Sequence, residues 1–274
     1  MISFPNCKIN IGLNILRRRP DGFHDIETLF CPVDLTDVLE FIPLHRNGNV
    51  NLTVSGLAVD CPPDKNLCIK AYELLKTEYN LPPLDVHLHK VIPSGAGLGG
   101  GSSDAAFMLN MLSDIFELHL KEDDLCEYAS RLGSDCAFFI KNRPMLGFGR
   151  GNLFKEINPI PADLEIIIVH PGIHISTAEA YAGVIPAMPT EKLEKLISLP
   201  IEDWKDLIIN DFEESIIRKY PLIGKLKTKF YEMGAIYASM SGSGSSVYGL
   251  FSGAAPSPGA HFPGMFTWKG KMMK

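Results

Sequence analysis

The stretch Pro93, Ser94, Gly95, Ala96, Gly97, Leu98, Gly99, Gly100, Gly101, Ser102, Ser103 is the part of this chain best suited to chemistry on a ligand. A glycine has no Cβ, so its backbone takes positive φ and comes close to a bound group. Successive N–H groups in such a turn form an anion-binding concavity. The stretch runs into a helical pattern over residues 104–115, with Ser102, Ser103 and Asp104 at its start. The first-turn N–H groups of a helix are unpaired, and its dipole adds about half a positive charge there. Phosphate is the natural occupant. Residues 86–103 contain no Asp or Glu, and Lys90 is their only formal charge, which agrees. A flexible linker has a similar composition, but is not normally bracketed by a strand and a capped helix.

The kind of phosphate loop is a separate question. There is no G-K-[ST], which excludes the Walker type. Gly95-x-Gly97-x-x-Gly100 satisfies G-x-G-x-x-G, so a dinucleotide-binding oxidoreductase stays open as an alternative. A Rossmann unit wants a near-continuous apolar strand before its glycines, whereas here His87, His89, Lys90 and Pro93 intervene. The partner motifs of protein kinases, H-R-D and D-F-G, are absent.

Elements that must position the loop are legible around it. Residues 8–16 alternate, with Ile9, Ile11, Leu13 and Ile15 on one side and Lys8, Asn10, Gly12 and Asn14 on the other. This predicts a half-buried strand with a polar face, ending at Pro20-Asp21-Gly22. On such a face Lys8 reads as solvated. Strands are predicted over 38–42, 50–54 and 85–90, and helices over 66–79 and 122–132. Asp135 follows Gly133 and Ser134, where it is placed to cap the next helical turn. Strands and turns are predicted over 138–154, a linker at Asn158-Pro-Ile-Pro161 and a strand over 164–169. Helical segments follow near 190–199, 211–220 and 222–233, then strands over 235–240 and 247–251. The tail from Ser252 is rich in Pro and Gly and is assigned no structure. Hairpin-like connections between the early strands favour an α+β fold over a doubly wound sheet.

Composition bounds the rest. With 26 Lys+Arg against 32 Asp+Glu the net charge is −6, which argues against a nucleic-acid binder. The basic triplet Arg17–Arg19 adjoins a turn and reads as solvated. No apolar run approaches the ~20 residues of a membrane span, and no secretory leader is visible, so a cytoplasmic protein is expected. The six cysteines form no C-x-x-C pair and read as reduced thiols. His87 and His89 read as the polar side of a strand rather than as metal ligands.

The stretch 93–106, PSGAGLGGGSSDAA, resembles the phosphate loop of the GHMP kinases, small-molecule kinases unrelated to the Walker fold. Asn6-Cys-Lys-Ile-Asn10, Pro20-Asp-Gly-Phe-His24, Leu132-Gly-Ser-Asp135, His170-Pro-Gly172 and Ser241-Gly-Ser-Gly-Ser-Ser246 extend the resemblance to residue 251. They narrow it to the branch that phosphorylates a hydroxyl of a cytidine-diphosphate-linked methylerythritol in non-mevalonate isoprenoid synthesis. Other GHMP kinases, acting on mevalonate or homoserine, are the nearer alternative. The resemblance implies a two-domain α+β architecture, with a ribosomal-protein-S5-domain-2-like N-terminal domain (1–158) and a ferredoxin-like C-terminal domain (159–252), followed here by the tail 253–274.

It also implies roles. Lys8 and Asp135 become the catalytic pair; residues 93–103 wrap the phosphates of ATP, the co-substrate; Asn66 and Leu67 lie near adenine. Asn10, Phe23, His24, Thr177 and Tyr181 hold the substrate, with Phe23 stacking on cytosine. Residues 241–246 correspond to the family's third conserved loop, or else form a plain hairpin connection. Mg²⁺ is expected to accompany ATP, with Ser103 and Asp104 nearby but no ligand assigned. The partners implied are small molecules, with no nucleic acid, membrane or protein partner. There are two departures from the family. Phe23 stands where Tyr is usual, and Ser134-Asp-Cys-Ala-Phe-Phe139 replaces S-D-V-P-F-F.

Overall fold

The computed structural model describes residues 1–44, 49–59, 61–157 and 164–273; the expected linker at 158–161 and the domain boundary within it lie outside them. The first half of the chain forms β1 (Ile2–Ser3), β2 (Asn6–Arg18), β3 (His24–Thr36), β4 (Val38–Pro43), β5 (Asn51–Gly56), α1 (Leu67–Lys76), β6 (Leu84–Lys90), α2 (Gly100–Ile115), α3 (Glu122–Leu132) and α4 (Cys136–Lys141). The second forms β7 (Met145–Gly149), β8 (Leu153–Glu156), β9 (Glu165–His170), α5 (Thr177–Ala182), α6 (Leu193–Leu196), α7 (Phe212–Lys219), α8 (Pro221–Glu232), β10 (Tyr237–Met240), β11 (Val247–Phe251) and β12 (Phe266–Lys271). The expected α+β class is what the chain adopts.

Two compact units share these elements. One comprises Met1–Cys7, Leu35–Ser94 and Gly99–Asn142. The other comprises Lys8–Asp34, Gly95–Leu98 and Arg143–Lys274.

In the first unit the sheet order is β1-β4-β6-β5. Along β6, Leu84, Val86, Leu88 and Lys90 are buried while Asp85, His87 and His89 are exposed. Its neighbour β4 is antiparallel and β5 parallel. This is no Rossmann unit, whose strand would be parallel-paired and apolar on both faces. Asn66 caps α1, its Oδ1 accepting from Cys68 N at 2.9 Å. Helix α2 starts four residues before the pattern indicated, because Gly100, Gly101, Ser102 and Ser103 are weak helix formers whose turn does not show as periodicity. Within 138–154, where strands and turns were expected, α4 takes up Phe138 and Phe139. Six residues are too few to display a helical period.

In the second unit the sheets run β2-β3-β7-β8 and β10-β11-β9-β12. Its core gathers Ile15, Ile26, Ile167, Val169, Phe212, Ile216 and Phe230. Gly249 on β11 gives Phe230 of α8 its place: a Cβ there would come within 2.5 Å of the ring. The polar side of β2 is not solvated as expected, since Lys8 is 3% and Asn10 2% exposed. The tail also departs from expectation. Phe266–Lys271 forms β12, antiparallel to β9 with Thr267 opposite Val169 and Lys269 opposite Ile167. The Pro- and Gly-rich approach hides this strand in the sequence.

Candidate active site

The glycine-rich stretch is divided between the units, Pro93 and Ser94 and then Gly99–Ser103 belonging to the first and Gly95–Leu98 to the second. Gly95, Gly97 and Gly99 all have positive φ, at 65°, 77° and 71°. That region of φ strongly favours glycine. Ser94, Gly95 and Gly101 are exposed and Gly97, Gly99 and Ser102 half-buried, whereas Pro93, Ala96, Leu98, Gly100 and Ser103 are buried. Contact with a ligand in solution therefore falls to the glycine backbone and to the serines at 94 and 102.

In the second unit the loop is stitched to β2 and to residues 241–246. Lys8 N donates to Leu98 O at 3.0 Å, and Ser246 N to Ala96 O at 3.2 Å. Ser241 Oγ donates to Gly97 O at 2.8 Å, and Asn10 N donates to Ser241 Oγ at 3.3 Å. Lys8 Nζ donates to Asn10 Oδ1 at 2.5 Å, and Asn10 Nδ2 to Thr28 Oγ1 at 3.0 Å. Thr28 Oγ1 passes the chain on to Gly12 O at 2.6 Å. Asn210 Nδ2 donates to Met240 O and Gly242 O at 2.9 and 2.8 Å, holding the 241–246 loop from behind. Residues 241–246 are thus more than a hairpin connection. Sequence reasoning missed Thr28 and Asn210; neither stands in a motif.

The first unit anchors the other end of the loop with buried charge. Asp37 Oδ1 accepts from Val91 N and Ile92 N at 2.6 and 2.8 Å, and its Oδ2 accepts from Lys90 Nζ. Lys90 Nζ also donates to Asp104 Oδ2 at 2.7 Å. Lys90, the one formal charge of residues 86–103, is therefore held in a buried ion cluster. Burial works against its charge, but Asp104 and Asp37 together hold its pKa above the usual range. Asp104, whose Oδ1 has no hydrogen-bond partner among the described residues, is pushed up to about 7 by burial and by Asp37. Nor do Ser103 and Asp104 fit a Mg²⁺ site: both are buried, and Asp104 is paired with Lys90. Among the described residues no group of three or more His, Cys, Asp or Glu is placed to hold a metal.

Asp135 directly precedes α4 and is half-buried. Its side chain makes no capping hydrogen bond, contrary to the capping role its position suggested. Cys136 beside it is inert, its thiol pushed up to about 12 mainly by burial.

Of the expected substrate residues, the structure brings His24 and Tyr181 together. Their rings stack with centroids 4.6 Å apart and an interplanar angle of 18°. Phe212 meets Tyr181 edge-on at 4.9 Å. Arg18, Gly22, His24, Tyr181, Ala182, Val184 and Pro186 line a cleft of about 420 Å³ here. Burial, and then the charge of Arg18, lower the pKa of His24, so its imidazole is neutral at pH 7. Phe23 stands outside this cleft, 51% exposed, with the Arg150 guanidinium 4.8 Å above its ring. Thr177 is exposed at the first turn of α5, and Asn66 and Leu67 are half-buried at the start of α1.

Comparison with known proteins gives the class. Residues 66–143 match the GHMP kinases N terminal domain and residues 191–259 the GHMP kinases C terminal domain. The mevalonate kinase of Methanococcus jannaschii shares the fold, with a TM-score of 0.71 at 14% identity over 100% of this chain and 98% of that one. The 4-diphosphocytidyl-2-C-methyl-D-erythritol kinase of Bacteroides fragilis is 49% identical over 253 residues, 92% of each chain. That of Azobacteroides pseudotrichonymphae is 52% identical over 92% of this chain and 93% of its own. A solved 4-(cytidine 5'-diphospho)-2C-methyl-D-erythritol kinase superposes with a TM-score of 0.81 at 28% identity, covering 99% of both chains. The chain belongs to the GHMP kinases, in the family of the 4-diphosphocytidyl-2-C-methyl-D-erythritol kinases.

Proposed function

We propose that this chain transfers the γ-phosphoryl group of ATP to the 2-hydroxyl of 4-(cytidine 5'-diphospho)-2-C-methyl-D-erythritol. The observation that carries the reading is the fixed glycine loop, tied through Ser241 and Asn10 to the strand of Lys8. Its positive-φ glycines suit main-chain N–H groups to the ATP phosphates. Phosphoryl transfer depends on alignment and on offsetting negative charge. Lys8, held by Asn10 Oδ1, is the cation for the charge that develops around the transferred group. Asp135 orients the acceptor hydroxyl and takes its proton as the phosphoryl group is transferred. Lys8 and Asp135 are the catalytic pair on this reading. Mg²⁺ is expected only as a companion of ATP's phosphates.

Asn10 completes the acceptor side, and Asn66 and Leu67 the adenine side. His24, Tyr181, Thr177 and Phe23 are proposed to hold the cytidine end, where a neutral imidazole both donates and accepts hydrogen bonds. The six cysteines are free thiols, which suits a reducing compartment such as the cytoplasm. No helix among the described residues is long and apolar enough to cross a membrane. ADP release, measured with the cytidine-linked alcohol, mevalonate and homoserine in parallel, tests the assignment. Turnover with the first alone is expected; turnover with either of the others in its place overturns it.

A further inference from the structure

Three arginines follow one another at the end of β2 and the start of the next turn, and the structure separates their roles. Arg17 Nε donates to Asp25 Oδ2 at 2.5 Å. Arg19 pairs with Asp21 at 2.9 Å and with Asp25 at 2.8 Å. Arg18 makes no ion pair among the described residues, although it stands between two that do. Alternation along a strand sends neighbouring side chains to opposite faces. The outcome is that Arg18, and neither Arg17 nor Arg19, lines the cleft of His24 and Tyr181. Among the described residues no carboxylate lines that cleft: its remaining walls are Gly22, Ala182, Val184 and Pro186. Arg17 and Arg19 are thus held by the acids of the turn, and Arg18 is left to the cleft.

A cleft with a stacked ring pair, an apolar wall and one uncompensated guanidinium fits a ligand that is planar at one end and anionic at the other. We propose that Arg18 is a specificity-determining residue whose guanidinium takes the diphosphate of the cytidine-linked substrate, with the base lying against the His24–Tyr181 pair. This rests on the function proposed above and adds a residue to it. A guanidinium offers forked donors that match phosphate oxygens, and is not replaced in this by a neutral amide. Because Arg18 is exposed, water screens the attraction, and the effect is moderate rather than absolute.

The experiment is calorimetric titration of CDP and of uncharged cytidine into the wild type, Arg18→Gln, Arg18→Lys and, as a control, Arg17→Gln. For Arg18→Gln, CDP affinity is expected to fall about five- to twentyfold while cytidine affinity is unchanged. Arg18→Lys recovers part of the loss, and Arg17→Gln stays within about twofold because Asp25 already neutralises that charge. Added salt weakens CDP binding to the wild type more than to Arg18→Gln. In turnover, Arg18→Gln raises KM for the cytidine-linked alcohol and leaves kcat and the KM for ATP in place. Equal CDP affinity in wild type and Arg18→Gln overturns the proposal, as does an equal loss for cytidine, which would mark a merely structural role. If the wild type and Arg18→Gln bind CDP with equal affinity, only the role of Arg18 falls. If the wild type binds neither compound, the cytidine-linked substrate falls with it.

Discussion

The hydroxyl of Ser241 donates to the carbonyl of Gly97 at 2.8 Å while accepting from the backbone N–H of Asn10 at 3.3 Å. One fully buried oxygen thereby joins two glycine-rich loops to the strand that carries Lys8. A cradle for phosphate must be rigid before ATP arrives, or binding has to supply the ordering cost. The Ser241–Gly97 bond is where this chain meets that requirement.

Gly97→Ala and Gly101→Ala separate the loop's folding from its function. A Cβ on Gly97 would lie 2.0 Å from Ser241 O, at a φ of +77°. Thermal unfolding should show a loss of about 2–3 kcal/mol or more, with weakened ATP binding. Gly101 has ordinary helical φ, and a Cβ there meets nothing within 4 Å. Its alanine variant should be as stable as the wild type or up to about 1 kcal/mol more so. If phosphate approaches this backbone, the added methyl group still raises the KM for ATP severalfold. An unchanged KM would remove Gly101 from the cradle.

For the catalytic pair, Asp135→Asn should lower kcat by about 10²–10⁴-fold with ATP affinity nearly intact. Lys8→Met should lower it by about 10²–10³-fold. Because Lys8 is buried beside Asn10, its variant needs a matching unfolding curve to show that the fold survives. A kcat within threefold of wild type in either variant would take that residue out of the chemistry.

The buried cluster of Lys90, Asp37 and Asp104 makes stability depend on pH. Asp104 has a folded-state pKa of about 7, raised by burial. A raised carboxyl pKa contributes stability that is full below the unfolded value near 4 and is lost as pH rises through 7. Asp104→Asn removes this titration. From pH 5.5 to 8.5 the Tm of the wild type should therefore fall relative to that of Asp104→Asn. Parallel Tm curves for the two proteins would show that Asp104 does not take up a proton on folding.

Much of this was readable from residue order, and what was not has physical causes. The glycine stretch, the strand beginning near Lys8 and the helix 122–132 declare themselves by composition or period, and all three are found. Strand β3 escaped because it is buried on both faces, so it shows no alternation, and it carries Pro32 in its interior. The burial of Lys8 and Asn10 could not be read either, since a polar face looks the same whether water or a hydrogen-bond network covers it. Thr28 and Asn210 serve the site through hydrogen bonds set by tertiary structure. Arg18 differs from Arg17 and Arg19 only in which acids lie nearby, and that is not written in the triplet itself.

The decisive measurement is mass spectrometry of the products after incubation with ATP, Mg²⁺ and 4-(cytidine 5'-diphospho)-2-C-methyl-D-erythritol. One added phosphoryl group on the cytidine-linked alcohol, in step with ADP formation, is the expected result. ADP and inorganic phosphate with the alcohol unmodified, or no ADP at all, would contradict it.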